Sequence, residues 1–337
     1  LIPYVAIQIR GISIFLEATF PESLPVWAWA SIIVGVMLLY SETGGLKAII
    51  FADVMQGTVL MLVVWLIAFE LLGKMGGVGE MFRKIEAIEP ALLSTPGPKG
   101  LFNVQFLISS MLAILFIPVT QPQVTIRLAI MRDLATMRRM AVALGCFAML
   151  VILPTIAIGF YGAIEYAGLP MNEYLANTLI FDQPGWVGAA AIIGLIAAAL
   201  STSDSQIFAM GTELRSLLKG DEGKILNITR IAIAFFALAT LIFSIISSDQ
   251  LVLLTRVSFA GTAMMGPMVL AAVLSRRPPH KAIVAMTSVG LALFLASVLG
   301  LVPGEVAGIR MDLLLLVLLG AGTGGLSFLQ GSAKSAV

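Results

Sequence analysis

Long apolar segments recur from one end of the chain to the other, and they constrain the fold more than any other feature. A helix needs about 20 apolar residues to cross the hydrocarbon core of a bilayer. Ten segments approach or exceed this length, at positions 2–19, 26–41, 46–73, 104–126, 140–166, 186–212, 225–247, 250–275, 281–302 and 312–330. Charged residues make up only 12% of the chain, whereas soluble domains carry about 25%. The sequence therefore predicts an all-α membrane protein with about ten transmembrane helices.

The basic residues predict the orientation of these helices. If the first residue is cytoplasmic, thirteen of the 20 Lys and Arg residues fall in inside connections and five in outside ones. Cytoplasmic loops are typically enriched in Lys and Arg. We therefore expect a multi-pass protein of the inner (plasma) membrane with both chain ends in the cytoplasm. The net charge of +1 gives no indication of a nucleic-acid partner.

A run of six polar residues interrupts the apolar segment at 186–212. It reads Ser-Thr-Ser-Asp-Ser-Gln and occupies positions 201–206. An acid and four hydroxyls at membrane depth are costly and usually functional. Oxygen ligands of this kind bind small hard cations such as Na⁺, so the run is a candidate ion or solute site. The alternative is that its hydroxyls only hydrogen-bond neighbouring membrane helices.

Helical spacing divides this run between two adjacent faces, because residues three and four apart lie on the same side of a helix. Ala198, Ser201, Thr202 and Ser205 share one face, and Ser201, Asp204 and Ser205 share the next. The first face offers hydroxyl and backbone carbonyl oxygens, and the second adds a carboxylate. Both faces are therefore candidates for binding a cation.

A second acid within an apolar segment is Asp53, about two helical turns from the predicted cytoplasmic side. Gln56 lies three residues later, on the same helical face. An acid at this depth is a candidate functional group. The alternative is an interfacial acid whose side chain reaches water.

Four stretches resemble the sodium:solute symporter family, which includes bacterial proline:sodium and sugar:sodium symporters, and they follow the family's order along the chain. Positions 197–206 are similar to its Ala-Ala-x-x-Ser-Thr/Ser-x-x-Ser segment, and positions 44–56 to its Gly-Gly-Leu-x-Ala…Thr-Asp-x-x-Gln segment. Positions 121–127 are similar to its Gln-Pro-His…Gln-Arg, and positions 258–267 form the fourth match. Two departures are Ala52, where the family usually has Thr, and Ile126, where it usually has Gln.

The resemblance implies the leucine-transporter-type fold, in which two inverted five-helix repeats hold their sites near the membrane midplane. The segment at 2–19 corresponds to the third core helix of that fold. We therefore expect residues 1–337 to form a single transporter domain, made of core helix three onward plus two C-terminal helices. The first two core helices, and the part of the ion site that they supply, are expected to lie outside this sequence.

The resemblance also implies roles for particular residues. Ala198, Ser201 and Thr202 correspond to the family's Na⁺ site. Asp53, Asp204 and Ser205 correspond to a second ion site or a release path for Na⁺, and Asp204 stands where some members have Ser.

The resemblance gives a weaker indication of the residues that contact the solute. Gln8 and Gln121 are the candidates. Ile117 and Ile114, one and two turns before Gln121, are apolar where sugar-transporting members place polar or aromatic groups. This difference favours an amino acid or a carboxylate over a sugar.

These features together predict a secondary transporter that couples inward Na⁺ flow to the uptake of a small polar solute. We expect it to work as a monomer in the lipid bilayer. The alternative is a membrane solute sensor, which would be expected to carry a soluble signalling domain. An enzyme is not expected. The chain has one histidine, His280, and one cysteine, Cys146, so it lacks the residues that a zinc site or a Ser/His catalytic site needs.

Overall fold

The structure is a computed structural model that describes residues 2–41, 45–246, 251–276 and 278–335. Within these residues it contains fourteen α-helices, one 3-10 turn (Pro90–Leu93), one π-helical turn (Asn177–Phe181) and an antiparallel hairpin of β1 (Glu305–Val306) and β2 (Ile309–Arg310). The helices are α1 (Ile2–Thr19), α2 (Val26–Ser41), α3 (Gly45–Met75), α4 (Val78–Ile88), α5 (Val104–Thr120), α6 (Pro122–Ala129), α7 (Leu134–Glu165), α8 (Met171–Ala176), α9 (Gly185–Leu217), α10 (Glu222–Ile246), α11 (Leu251–Ala263), α12 (Gly266–Ser275), α13 (Lys281–Val298) and α14 (Met311–Ser335).

A helix or a broken helix lies at each of the ten predicted segments. One break falls at Gln121, where the axes of α5 and α6 differ by 52°. The residue before a proline is disfavoured in the helical conformation, and Gln121, which precedes Pro122, has an extended backbone. The second break separates α11 from α12, just before Pro267. Both interruptions therefore follow from proline chemistry.

Seven helices in the described part of the chain are long and apolar enough to cross a membrane, or eight if the bent pair α5–α6 is one span. The predicted count of about ten also included α1 and α2. Of these, α2 is apolar but shorter, and α1 contains Arg10 and Glu17. Ten of the 18 residues of α1 are buried in the protein, so this helix meets protein more than lipid and does not need a uniformly apolar surface.

The chain divides into two compact units. The larger comprises Ile2–Pro98 and Ile130–Leu251, and the smaller comprises Lys99–Ala129 and Val252–Val337. The sequence predicted one transporter domain over 1–337, and that statement remains a prediction.

In the larger unit, α1 packs against α2, α8, α9 and α10, and α3 packs along α9 and α7. The connection between α8 and α9 is held by Asp182, which follows the π-helical turn. The hydroxyls of Tyr161 and Tyr166 both donate to the Asp182 carboxylate. The ring of Tyr174, on α8, lies directly over Gly162 of α7.

In the smaller unit, an apolar core joins α5, α11, α13 and α14. The hairpin is tied to the start of α5 by Gln105, which donates to the Gly308 carbonyl and accepts from the Arg310 N–H. Arg310 in turn forms a buried ion pair with Asp312, with an N–O distance of 2.9 Å. Every charged group in this buried pair therefore has a partner, as buried charges require.

Candidate sodium site

The polar run continues α9 without a break, and most of it is buried. Residues 203–207 all lie inside the larger unit. Ser203 is satisfied within its own helix, since its Oγ donates to the Ala199 carbonyl at 2.8 Å. Ser201 and Ser205 instead direct their hydroxyls to the neighbouring helix α3.

Asp53 of α3 receives both of these hydroxyls. Ser201 Oγ donates to Asp53 Oδ1 at 2.5 Å, and Ser205 Oγ donates to Asp53 Oδ2 at 3.2 Å. Because Ser201 and Ser205 are four residues apart on a helix, their side chains lie one above the other and reach the two carboxylate oxygens together. The structure thus brings together three residues that the sequence predicted as parts of ion-binding faces.

Asp204 adds a second carboxylate beside this cluster. Its side chain is only 3% exposed, and it is close enough to Asp53 for the two charges to interact. Within the described residues, Asp204 Oδ1 is buried without a hydrogen-bond partner, and so is Gln56 Oε1 on α3. A buried acceptor without a donor is costly, and neighbouring carboxylates repel strongly in a low dielectric. A cation bound among these oxygens would remove both costs.

The three residues assigned to the first Na⁺ site lie on consecutive turns of α9. Ala198 and Thr202 are partly buried, and Ser201 is the residue that contacts Asp53. Ser201 is therefore the member of this set that contacts Asp53, a residue of the second predicted site. The assignment of Ala198, Ser201 and Thr202 to Na⁺ remains a prediction.

Gln8 lies on the wall of a cavity of about 240 Å³ in the larger unit. The cavity is bounded by α1, α8 with its π-helical turn, and α9, and Ala198 is also on its wall. Its other lining residues include Phe15, Leu175 and Leu195. Sequence reasoning missed the contribution of α8, because a helix of six residues shows no measurable periodicity.

Gln121 lies in the smaller unit, at the break between α5 and α6. Its side chain is 1% exposed, its Nε2 donates to Thr262 Oγ1 at 3.0 Å, and its Oε1 accepts from Gln123 Nε2 at 3.3 Å. Both ends of the amide are thus bonded within the protein. A role in solute binding stays a prediction, and it would require the amide to exchange at least one of these partners.

Comparison with known proteins identifies related transporters. A model described as "Sodium:solute symporter family" matches residues 1–288. A sodium/pantothenate symporter of Haemophilus influenzae is 25% identical over 175 residues, which are 50% of this chain and 35% of that protein. The chain thus spans about a third of the length of this curated relative.

A solved structure supports the fold. It is the substrate-bound, outward-open state of a Na⁺-coupled sialic acid symporter, whose description reports a novel Na⁺ site. The similarity has a TM-score of 0.65 at 17% sequence identity and covers 96% of this chain and 73% of that one. This match confirms the predicted leucine-transporter-type fold of a multi-pass membrane protein.

Proposed function

Because the chain belongs to the sodium:solute symporter family, we propose that it is part of a secondary transporter that couples inward Na⁺ flow to the uptake of a small polar solute. Members of this family are transporters rather than enzymes. We place the transporter in the plasma membrane, with both ends of this chain in the cytoplasm and Na⁺ as the coupling ion.

The observation that carries the proposal is the oxygen cluster between α3 and α9. Asp53 accepts the hydroxyls of Ser201 and Ser205, and the buried Asp204 carboxylate lies beside them. A serine hydroxyl can donate its hydrogen to a carboxylate and still present oxygen lone pairs to a cation. The cluster therefore supports a site for a small cation.

Coupling then requires that Na⁺ and solute favour the same conformation. A ligand shifts a conformational equilibrium only by its differential affinity for the two states, and the resulting coupling between two sites is reciprocal. Na⁺ bound at Ala198, Ser201 and Thr202 would stabilise an outward-facing state that binds solute more tightly. Asp53, Asp204 and Ser205 would hold Na⁺ on its way to the cytoplasm.

For the solute, we favour an amino acid or a carboxylate over a sugar. The sodium/pantothenate and sialic acid symporters are named for molecules that carry a carboxyl group. In this chain, the cavity beside Gln8 has mainly apolar walls, which suits the carbon skeleton of a small solute better than the many hydroxyls of a sugar. Gln8 offers an amide to the polar end.

Uptake by the complete protein in proteoliposomes tests this function. We expect small amino acids or carboxylates, pantothenate among them, to accumulate under an inward Na⁺ gradient and not under a matched K⁺ gradient. Thr202→Ala should weaken the Na⁺ dependence, since it removes one proposed ligand. Ser203→Ala is the matched control, because the Ser203 hydroxyl bonds within its own helix. Unchanged Na⁺ affinity in Thr202→Ala would remove Thr202 from the site, and uptake independent of Na⁺ would refute the function.

A further inference from the structure

Pro154 leaves a backbone carbonyl without its helical donor in the interior of α7. Proline has no N–H, so the carbonyl four residues earlier, that of Leu150, loses its usual partner. Leu150 is 43% exposed and lies within one of the helices long and apolar enough to span the membrane. Water is absent from the bilayer core, and backbone groups there must be satisfied by the protein itself. The Leu150 carbonyl therefore needs another donor.

Trp65 of α3 supplies this donor. Its indole Nε1 donates to the Leu150 carbonyl oxygen at 2.7 Å. The indole N–H is the only hydrogen-bonding group on this side chain, so a single contact satisfies both partners. The Trp65 ring also packs against Phe69, with 5.3 Å between ring centroids.

Helices α3 and α7 also approach closely at Gly57, which lies nearer to Asp53 along α3 than Trp65 does. A Cβ at Gly57 would lie 3.3 Å from the ring of Phe147 on α7. Gly57 is four residues after Asp53, and Trp65 is two turns further along the same uninterrupted helix. By helical geometry, the 12 residues between Asp53 and Trp65 span about 18 Å. Contacts with α7 therefore fix α3 from one turn beyond the carboxylate onward.

We propose that Trp65 is a positioning residue: its indole N–H replaces the backbone donor that Pro154 removes, and so fixes the helix that carries Asp53 to the proline-containing turn of α7. The pairing of Trp65 with Pro154 stands on geometry alone. Its consequence for Asp53 rests on the proposed function.

A double-mutant cycle on the complete protein in nanodiscs tests the pairing. Trp65→Phe keeps an aromatic ring but removes the donor, and Pro154→Ala restores a backbone N–H that can bond to the Leu150 carbonyl. We expect Trp65→Phe to lower the Tm by about 2–8 °C when Pro154 is present, and by much less in the Pro154→Ala background. Trp186→Phe is the control, since Trp186 is 63% exposed at the start of α9; it should leave the Tm unchanged.

Equal losses from Trp65→Phe in the two backgrounds would overturn the proposal. If the Trp65→Phe protein does not accumulate, we expect the Trp65→Phe/Pro154→Ala double variant to yield folded protein again. Failure of the double variant to yield folded protein would overturn the proposal.

Na⁺-dependent uptake distinguishes positioning from simple stabilisation. Trp65→Phe should raise the Na⁺ concentration for half-maximal uptake by about threefold or more, and Pro154→Ala should reverse this change. An unchanged Na⁺ requirement in Trp65→Phe would remove the link to Asp53. If the unmodified protein shows no Na⁺-dependent uptake, the proposed function fails, whereas the thermal cycle still decides the pairing of Trp65 with Pro154.

Discussion

Asp53 and the polar run on α9 were both recognisable in the sequence, because each places a carboxylate among apolar residues. Helical spacing also placed Ser201 and Ser205 on a common face. The resemblance to the symporter family placed Asp53 with Ser205 and Asp204. Which hydroxyl bonds to which oxygen of Asp53 could not be predicted, since it depends on how α3 and α9 pack across roughly 150 residues of intervening chain. The same limitation applies to Asp204, whose buried, unpartnered oxygen within the described residues is a property of the packed state.

Asp53→Asn tests the role of the carboxylate itself. The amide has nearly the same shape and can still accept from one serine, so the fold should persist, but the negative charge that attracts Na⁺ is lost. We expect turnover to fall, or the Na⁺ requirement to rise, by about tenfold. The measurement is the kinetics of Na⁺-dependent uptake by the complete protein.

Asp133→Asn provides the control for this variant. Asp133 caps the first turn of α7 by accepting the Thr136 N–H, and asparagine caps helices equally well. Kinetics like those of the unmodified protein are expected for Asp133→Asn. The same outcome for Asp53→Asn would exclude Asp53 from the transport mechanism.

Helices were predicted more reliably than the segments that connect them. The apolar segments predicted α1, α2 and α3 to within two residues at each end, because hydropathy and length both act locally. The six-residue α8 and the hairpin of β1 and β2 were not predicted. Both are held by contacts with distant residues, such as Tyr174 over Gly162 and Gln105 on the hairpin, which local pattern does not reveal.

The close approach of α8 to α7 gives a prediction for this pair of elements. Gly162→Ala would place a Cβ 1.8 Å from the Tyr174 ring, so the ring and α8 must move. Overpacking of this kind costs about 1–3 kcal/mol, and we expect a lower Tm of the complete protein. Gly159→Ala, on the same helix with nothing within 4 Å of the added Cβ, should not lower it. Equal melting temperatures for the two variants would mean that Tyr174 does not hold α8 in place.

For the whole molecule, the sequence predicted the membrane fold, and the similarity to a solved Na⁺-coupled symporter confirms it. In the described part, seven or eight helices are long and apolar enough to cross a membrane. Together with α1 and α2, they approach the predicted count of about ten spans. Hydropathy reports contact with lipid, so it recognises lipid-facing helices better than a protein-enclosed helix such as α1. The roles of Gln8 and Gln121 remain predictions, since solute specificity depends on side-chain geometry rather than on hydropathy.

The central claim is that the oxygens of α9 that face α3 bind Na⁺. Equilibrium binding of radioactive sodium to the purified complete protein tests it most directly, in Ser201→Ala and in the control Ser203→Ala. Ser201 contacts Asp53 and belongs to the first proposed ion site, whereas the Ser203 hydroxyl donates to a carbonyl of its own helix α9. We predict that Ser201→Ala weakens Na⁺ binding by about tenfold or more and that Ser203→Ala binds Na⁺ like the unmodified protein. Equal Na⁺ affinities for Ser201→Ala and Ser203→Ala would contradict the claim.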